Sequence, residues 1–122
     1  MKKQKNILII DDSSPTRLLL KLSIKHCESD SNILEASDAS EALKILEEEN
    51  IDIVSIDYKI PGINGLELLK IIKEKYPHIK TAILTGYTHE LEREQVEELG
   101  AAYIEKPINE NTAKKIIEGY LT

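Results

Sequence analysis

Short apolar runs alternate with longer amphipathic ones five times along this chain, and no other feature narrows its possible folds as far. The short runs are "NILIID" (Asn6 to Asp11), "NILEA" (Asn32 to Ala36), "IDIVSID" (Ile51 to Asp57), "KTAILTG" (Lys80 to Gly86) and "AAYIEK" (Ala101 to Lys106). Each is too short for a helix and too continuously apolar for a one-sided strand, so each predicts a strand buried in a sheet. The segments between them carry helix signals. Ser14 is placed to cap a first helix with Pro15 at its first position. Asp38 with Glu41 matches a capping box, and Ala39, Ala42, Leu43 and Leu46 form one stripe. Gly65, Leu68, Leu69 and Ile72 line a third helix, which Pro77 follows as a stop. "THELEREQVEELG" is a polar fourth helix ending at Gly100, with only Leu91, Val96 and Leu99 clearly apolar. Asn109 can cap a fifth, whose inward face is Ala113, Ile116, Ile117 and Tyr120. Strands alternating with helices in this way imply right-handed βαβ units and a parallel sheet covered on both faces, an α/β fold. No linker or low-complexity stretch interrupts the pattern, so residues 1–122 are expected to form one domain.

Charge and cysteine content remove several classes of function. Sixteen basic residues against 22 acidic ones give a net charge of −6, which argues against a nucleic-acid or anionic-membrane surface. One cysteine leaves no disulfide framework and no thiolate metal cluster. The opening "MKKQKN" is basic, but "ILII" meets "DD" too soon to form a signal sequence, and no run approaches a membrane span. A cytoplasmic protein is expected.

In open parallel sheets chemistry collects at the carboxyl ends of the strands. Here strand one ends in Asp11-Asp12, strand three in Asp57, strand four in Thr85-Gly86, and strand five runs into Lys106-Pro107. Singly, each is an ordinary loop, cap or surface residue; jointly, four strands deliver polar groups to one edge. Two carboxylates about 4 Å apart repel by roughly 4 kcal/mol at an effective dielectric near 20. A cluster of Asp11, Asp12 and Asp57 therefore asks for a cation. All-oxygen anionic ligands suit Mg²⁺, with Mn²⁺ as a substitute. A metal and Lys106 converging on a carboxylate is an arrangement for phosphoryl transfer, with the carboxylate as nucleophile.

The segments "IIDDSSPTR", "SIDYKIPGINGLELL", "AILTGY" and "GAAYIEKP" occur in an order and at strand positions that resemble a two-component response-regulator receiver domain over essentially the whole chain. The resemblance implies a five-stranded sheet of order 2-1-3-4-5, a flavodoxin-like sandwich with five helices. It implies a signalling phosphoacceptor rather than an enzyme, one that assists its own phosphorylation and dephosphorylation. Asp57 would accept a phosphoryl group from the phosphohistidine of a histidine kinase or histidine phosphotransfer protein. Asp11 and Asp57 would hold Mg²⁺, with Asp12 directly or through water and the Lys59 carbonyl as a further ligand. Lys106 would meet the phosphoryl oxygens, and the Lys106–Pro107 bond would be cis. As the switch, Thr85 would turn its hydroxyl to the phosphoryl group while Tyr103 moved from an outward to a buried position. The face of the fourth helix, fifth strand and fifth helix would then bind a downstream protein.

Departures from the family pattern are small: Asn64 stands where many relatives have Asp, and Gly86 where Ala is common. Lys59 and Tyr87 flank the acceptor, and "DYKIPG" is similar to the single-domain regulators of sporulation phosphorelays. Bulk at these two positions is expected to obstruct the attacking water and lengthen the life of the acyl phosphate. Other readings fit less well. A Mg²⁺-dependent phosphatase would want an Asp two residues past its nucleophile, where this chain has Lys59 after Asp57 and Ser13 after Asp11. Flavodoxin-like nucleotide binding would want a phosphate loop where Asp11-Asp12 stand. A receiver-fold interaction module that is never phosphorylated needs no intact acid cluster. A stand-alone phosphorelay shuttle, a chemotaxis-type regulator, a phosphate sink and a piece of a longer regulator all remain open.

Overall fold

The computed structural model describes residues 4–86 and 90–118. Five strands and five helices alternate without exception: β1 (Asn6–Ile10), α1 (Ser14–Cys27), β2 (Asn32–Ala36), α2 (Ala39–Glu48), β3 (Ile53–Asp57), α3 (Gly65–Lys75), β4 (Lys80–Thr85), α4 (Glu90–Glu98), β5 (Ala102–Glu105) and α5 (Glu110–Glu118). All neighbouring strands are parallel, in the order β2-β1-β3-β4-β5. The expected α/β sandwich is what the chain forms.

Alternation along each strand divides the core in two. Leu8, Ile10, Val54, Ile56 and Ile83 face α2, α3 and α4, while Ile7, Ile9, Ile53, Ala82 and Leu84 face α1 and α5. β3 lies between β1 and β4 and is buried at every position, the only one of the five strands that is. Its register fixes the site: Ile10 pairs with Ile56, Asp57 with Leu84, and Thr85 with Glu105. Asp11 and Asp57 thus emerge at one level, with Thr85 one residue beyond it and Lys106 two.

The caps follow the sequence closely. Asp38, Asn64 and Asn109 accept backbone N–H groups of Glu41, Glu67 and Asn111 at 2.8, 2.9 and 2.8 Å. Asn64 therefore caps as an aspartate would. At α1 the cap is Ser13, whose hydroxyl accepts from Thr16 N–H, and Ser14 opens the helix. Two adjacent serines are equally able to cap, and here Asp11 settles the choice by accepting the Ser13 N–H at 2.9 Å. Two glycines sit at positive φ, Gly62 at 91° and Gly100 at 79°, where a side chain would be strained. On α1, Leu20 and Ile24 face the core, while Leu18, Leu19 and Leu22 are 56%, 48% and 60% exposed. Among the described residues, no helix is long and apolar enough to cross a membrane.

Candidate functional site

The ends of β1, β3 and β5 bring Asp11, Asp57 and Lys106 together. Asp11 is 2% exposed and Asp57 9% exposed, so both carboxylates are largely withdrawn from water. Lys106 Nζ lies 3.1 Å from Asp57 Oδ1 and 3.7 Å from Asp11 Oδ2. The second distance is an ion pair but too long for a hydrogen bond. Asp12 completes the group from the exposed rim: one oxygen from each of Asp11, Asp12 and Asp57 lies within 4.8 Å of the others.

The loop that carries the first two acids is braced. Asp11 N–H donates to the Ala36 carbonyl at 3.0 Å. Arg17 Nη1 donates to the Asp11 carbonyl at 2.6 Å while its Nε pairs with Glu35 at 2.9 Å. Arg17 was not among the residues singled out from sequence. Its bracing role depends on a partner on β2 that no local pattern announces.

Three anions face one ammonium, and the balance shows in Asp57. Its pKa is raised above the ordinary 3.8, first by burial and then by the neighbouring Asp11 carboxylate; Lys106 pulls the other way without prevailing. Asp11 Oδ2 is buried with no hydrogen-bond partner among the described residues. A buried carboxylate oxygen left in that state costs free energy unless something positive meets it. The donor set is all oxygen, anionic and partly open at Asp12, which fits a hard divalent cation such as Mg²⁺.

Beside the acids lies a cleft of about 220 Å³ lined by Asp57, Tyr58, Lys59, Thr85, Gly86 and Lys106. Thr85 is buried, Lys59 is exposed at the rim, and the Lys106–Pro107 peptide is cis. A larger open hollow of about 860 Å³ lies at the opposite end of the strands, among Lys5, His26, Lys80 and Lys114. Volume alone would select it, but it holds none of Asp11, Asp12 and Asp57, so the acid cluster identifies the smaller cleft as the candidate site. Tyr103, expected to move between outward and buried positions, is buried here at 6% exposure, with the Arg93 guanidinium 5.6 Å from its ring centroid. Tyr87 falls outside the described residues, as does Tyr120. Tyr58, the second residue of "DYKIPG", makes a contact that the sequence did not announce: its hydroxyl donates to Glu92 Oε1 at 2.9 Å. Burial and that acceptor together push the phenol pKa up, keeping it a donor.

Fold and site together define a class, and comparison with known proteins agrees. Residues 7–118 match the response regulator receiver domain, and the chain belongs to that family, the phosphoaccepting switch module of two-component signalling. Chemotaxis protein CheY-3 of Vibrio cholerae is 33% identical over 124 residues, spanning 97% of this chain and 92% of that protein. Sporulation initiation phosphotransferase F of Bacillus subtilis is 32% identical over 116 residues, 94% of this chain and 92% of that one. Among solved structures, response regulator TrrA of Thermotoga maritima in complex with Mg²⁺-BeF superimposes with a TM-score of 0.82 at 31% identity, covering 94% and 97% of the two chains. Other curated relatives are much longer, and this chain spans only 17% and 12% of two of them.

Proposed function

We propose that Asp57 is the phosphoacceptor of this receiver domain, taken as residues 1–122. The observation that carries the assignment is the nearly buried Asp57 carboxylate held 3.1 Å from Lys106, beside an Asp11 oxygen with no hydrogen-bond partner among the described residues. The donor is a phosphohistidine on a histidine kinase or a histidine phosphotransfer protein. An Asp57 oxygen forms the new bond to phosphorus as the bond from phosphorus to the imidazole nitrogen breaks. Asp11, Asp12, Asp57 and the Lys59 carbonyl would hold Mg²⁺, or Mn²⁺ in its place. When bound, the cation supplies positive charge to the phosphoryl oxygens. Lys106 contributes the second positive charge and orients the group. Thr85 reads the phosphoryl oxygens with its hydroxyl, and Tyr103 with α4, β5 and α5 forms the surface that a downstream protein recognises. The chain assists its own phosphorylation and dephosphorylation and turns over no separate substrate. The exposed Leu18, Leu19 and Leu22 stand on α1, the helix that follows Asp11-Asp12, and offer apolar surface to a protein donor. A lone, exposed Cys27 suits a reducing, cytoplasmic setting.

The test is incubation with Mg²⁺ and a small phosphodonor, followed by intact-mass measurement. Wild type is expected to gain one phosphoryl group and Asp57→Asn none. No uptake from any donor, a kinase included, would leave only a receiver-fold interaction module.

Lys59 at the cleft rim tunes how long the acyl phosphate survives, by standing where the hydrolytic water must approach. Lys59→Asn is expected to shorten the phosphoryl half-life several-fold, since about 1.4 kcal/mol of barrier is already tenfold in rate. Tyr87→Ala should act in the same direction. Unchanged half-lives in both variants would remove the idea.

A further inference from the structure

α4 is held unlike the other helices. α3 buries Leu66, Leu68, Leu69 and Ile72, whereas among the described side chains of α4 Val96 alone is fully buried, with Leu99 packed just beyond the helix end. Each fully buried aliphatic side chain stabilises by roughly 2 kcal/mol, so the described side chains of α4 contribute less apolar anchoring than those of α3. Polar contacts supply the rest, from two adjacent residues that reach to different strands. Arg93 lies over the Tyr103 ring and 3.8 Å from Glu105, both on β5. Glu92 reaches to Tyr58, the residue that follows Asp57.

Tyr58 is itself immobilised. Its N–H donates to the Leu84 carbonyl at 2.8 Å, and its carbonyl accepts Gly65 N–H at 2.7 Å. Its ring packs against the same core cluster that holds Tyr103 and Val96. A hydrogen bond therefore runs from the backbone segment that aims Asp57 to a helix of the proposed readout surface.

We propose that the Tyr58–Glu92 hydrogen bond is a latch: Tyr58 is a positioning residue that seats α4 from the acceptor strand and couples the occupancy of Asp57 to the placement of that helix. The coupling is reciprocal by linkage, so loading the site and releasing the latch each alter the other. This inference rests on Asp57 being the acceptor, but the seating of α4 does not.

Amide hydrogen exchange on residues 94–98 reads the seating directly, with α3 amides as an internal control. Tyr58→Phe and Glu92→Ala are each expected to speed α4 exchange by about tenfold to a hundredfold, as loss of one hydrogen bond to a charged group implies. The double variant should be no faster than the more affected single one. Fully additive effects, or unchanged exchange in Tyr58→Phe, would overturn the latch. The second arm repeats the measurement with Mg²⁺ and beryllofluoride. Loading should change α4 exchange in wild type and change it much less in Tyr58→Phe. An equal response in the two proteins would show that Tyr58 only fills space, and the coupling would fall. Whether wild type binds beryllofluoride is read separately by fluorine NMR, so failure of the acceptor assignment is distinguishable from failure of the latch.

Discussion

Gly65→Ala is expected to lower stability by about 2 kcal/mol, a fall of roughly 6–10 °C in melting temperature for a domain of this size. A Cβ at that position would stand 2.8 Å from the Asp57 carbonyl oxygen and 2.8 Å from the Tyr58 Cα. Both obstacles are backbone, so neither can swing aside as a side-chain tip would. Alanine does gain up to about 1 kcal/mol over glycine in a helix, but Gly65 is the first helical residue, where that gain is smallest. Overpacking wins. Because the displaced atoms carry Asp57, the variant should also take up phosphoryl groups more slowly per folded molecule. Gly86→Ala is the matched control. It lies on the same cleft, its added Cβ meets nothing within 4 Å, and its stability should stay within about 0.5 kcal/mol of wild type. A melting curve for each protein checks both statements; equal losses in the two would sink the steric account.

The second large effect is a stability order that reverses with metal. Without divalent cation, Asp57→Asn is expected to be more stable than wild type near neutral pH by on the order of 1–2 kcal/mol, because it removes one of three clustered charges. The sign follows from linkage. The folded Asp57 carboxyl has its pKa raised above 3.8, so the folded state holds that proton more tightly than the unfolded state. Its contribution is fully present below 3.8 and is lost as pH rises through the higher folded value. The gap between variant and wild type should therefore open on going from acid toward neutral pH. Saturating Mg²⁺ should close and invert it, since a ligand at a hundred times its dissociation constant stabilises by about 2.7 kcal/mol. The variant, lacking one ligand, should gain much less. Thermal unfolding of both proteins across pH, with and without Mg²⁺, measures this. A variant less stable than wild type in metal-free neutral buffer would contradict it.

The parts of this molecule legible from sequence are those with local or periodic signatures. Buried strands announce themselves as continuous aliphatic runs, and Asp38, Asn64 and Asn109 cap helices through bonds to residues two or three positions away. Asp11, Asp57, Thr85 and Lys106 were found because a parallel sheet exposes the ends of its strands at one edge. The strand order came from family resemblance, since periodicity cannot say which runs are neighbours. Strand limits shifted by a residue or two because ladder pairing, not hydropathy, ends a strand: Ile51 is buried yet precedes β3. What stayed hidden spans long separations between polar residues. Tyr58 with Glu92 and Arg17 with Glu35 join side chains 34 and 18 positions apart, and nothing near either partner marks it. The weak amphipathicity of α4 was visible; the polar contacts that compensate for it were not.

Lys106 follows the last of the strands in chain order, and β5 lies at the edge of the sheet with β4 as its one neighbour. On a ribosome, Asp11, Asp12 and Asp57 are all made well before the ammonium that answers them. A nascent chain with β1, β3 and β4 already paired would carry the acidic triad with no countercharge from β5, and would resist closing until β5 docked. Cations in the surrounding solution would screen that intermediate, so the metal proposed for the finished switch would also ease its assembly. Completion of the sheet and arming of the site would then be one event, and a molecule caught halfway would be inert rather than falsely signalling.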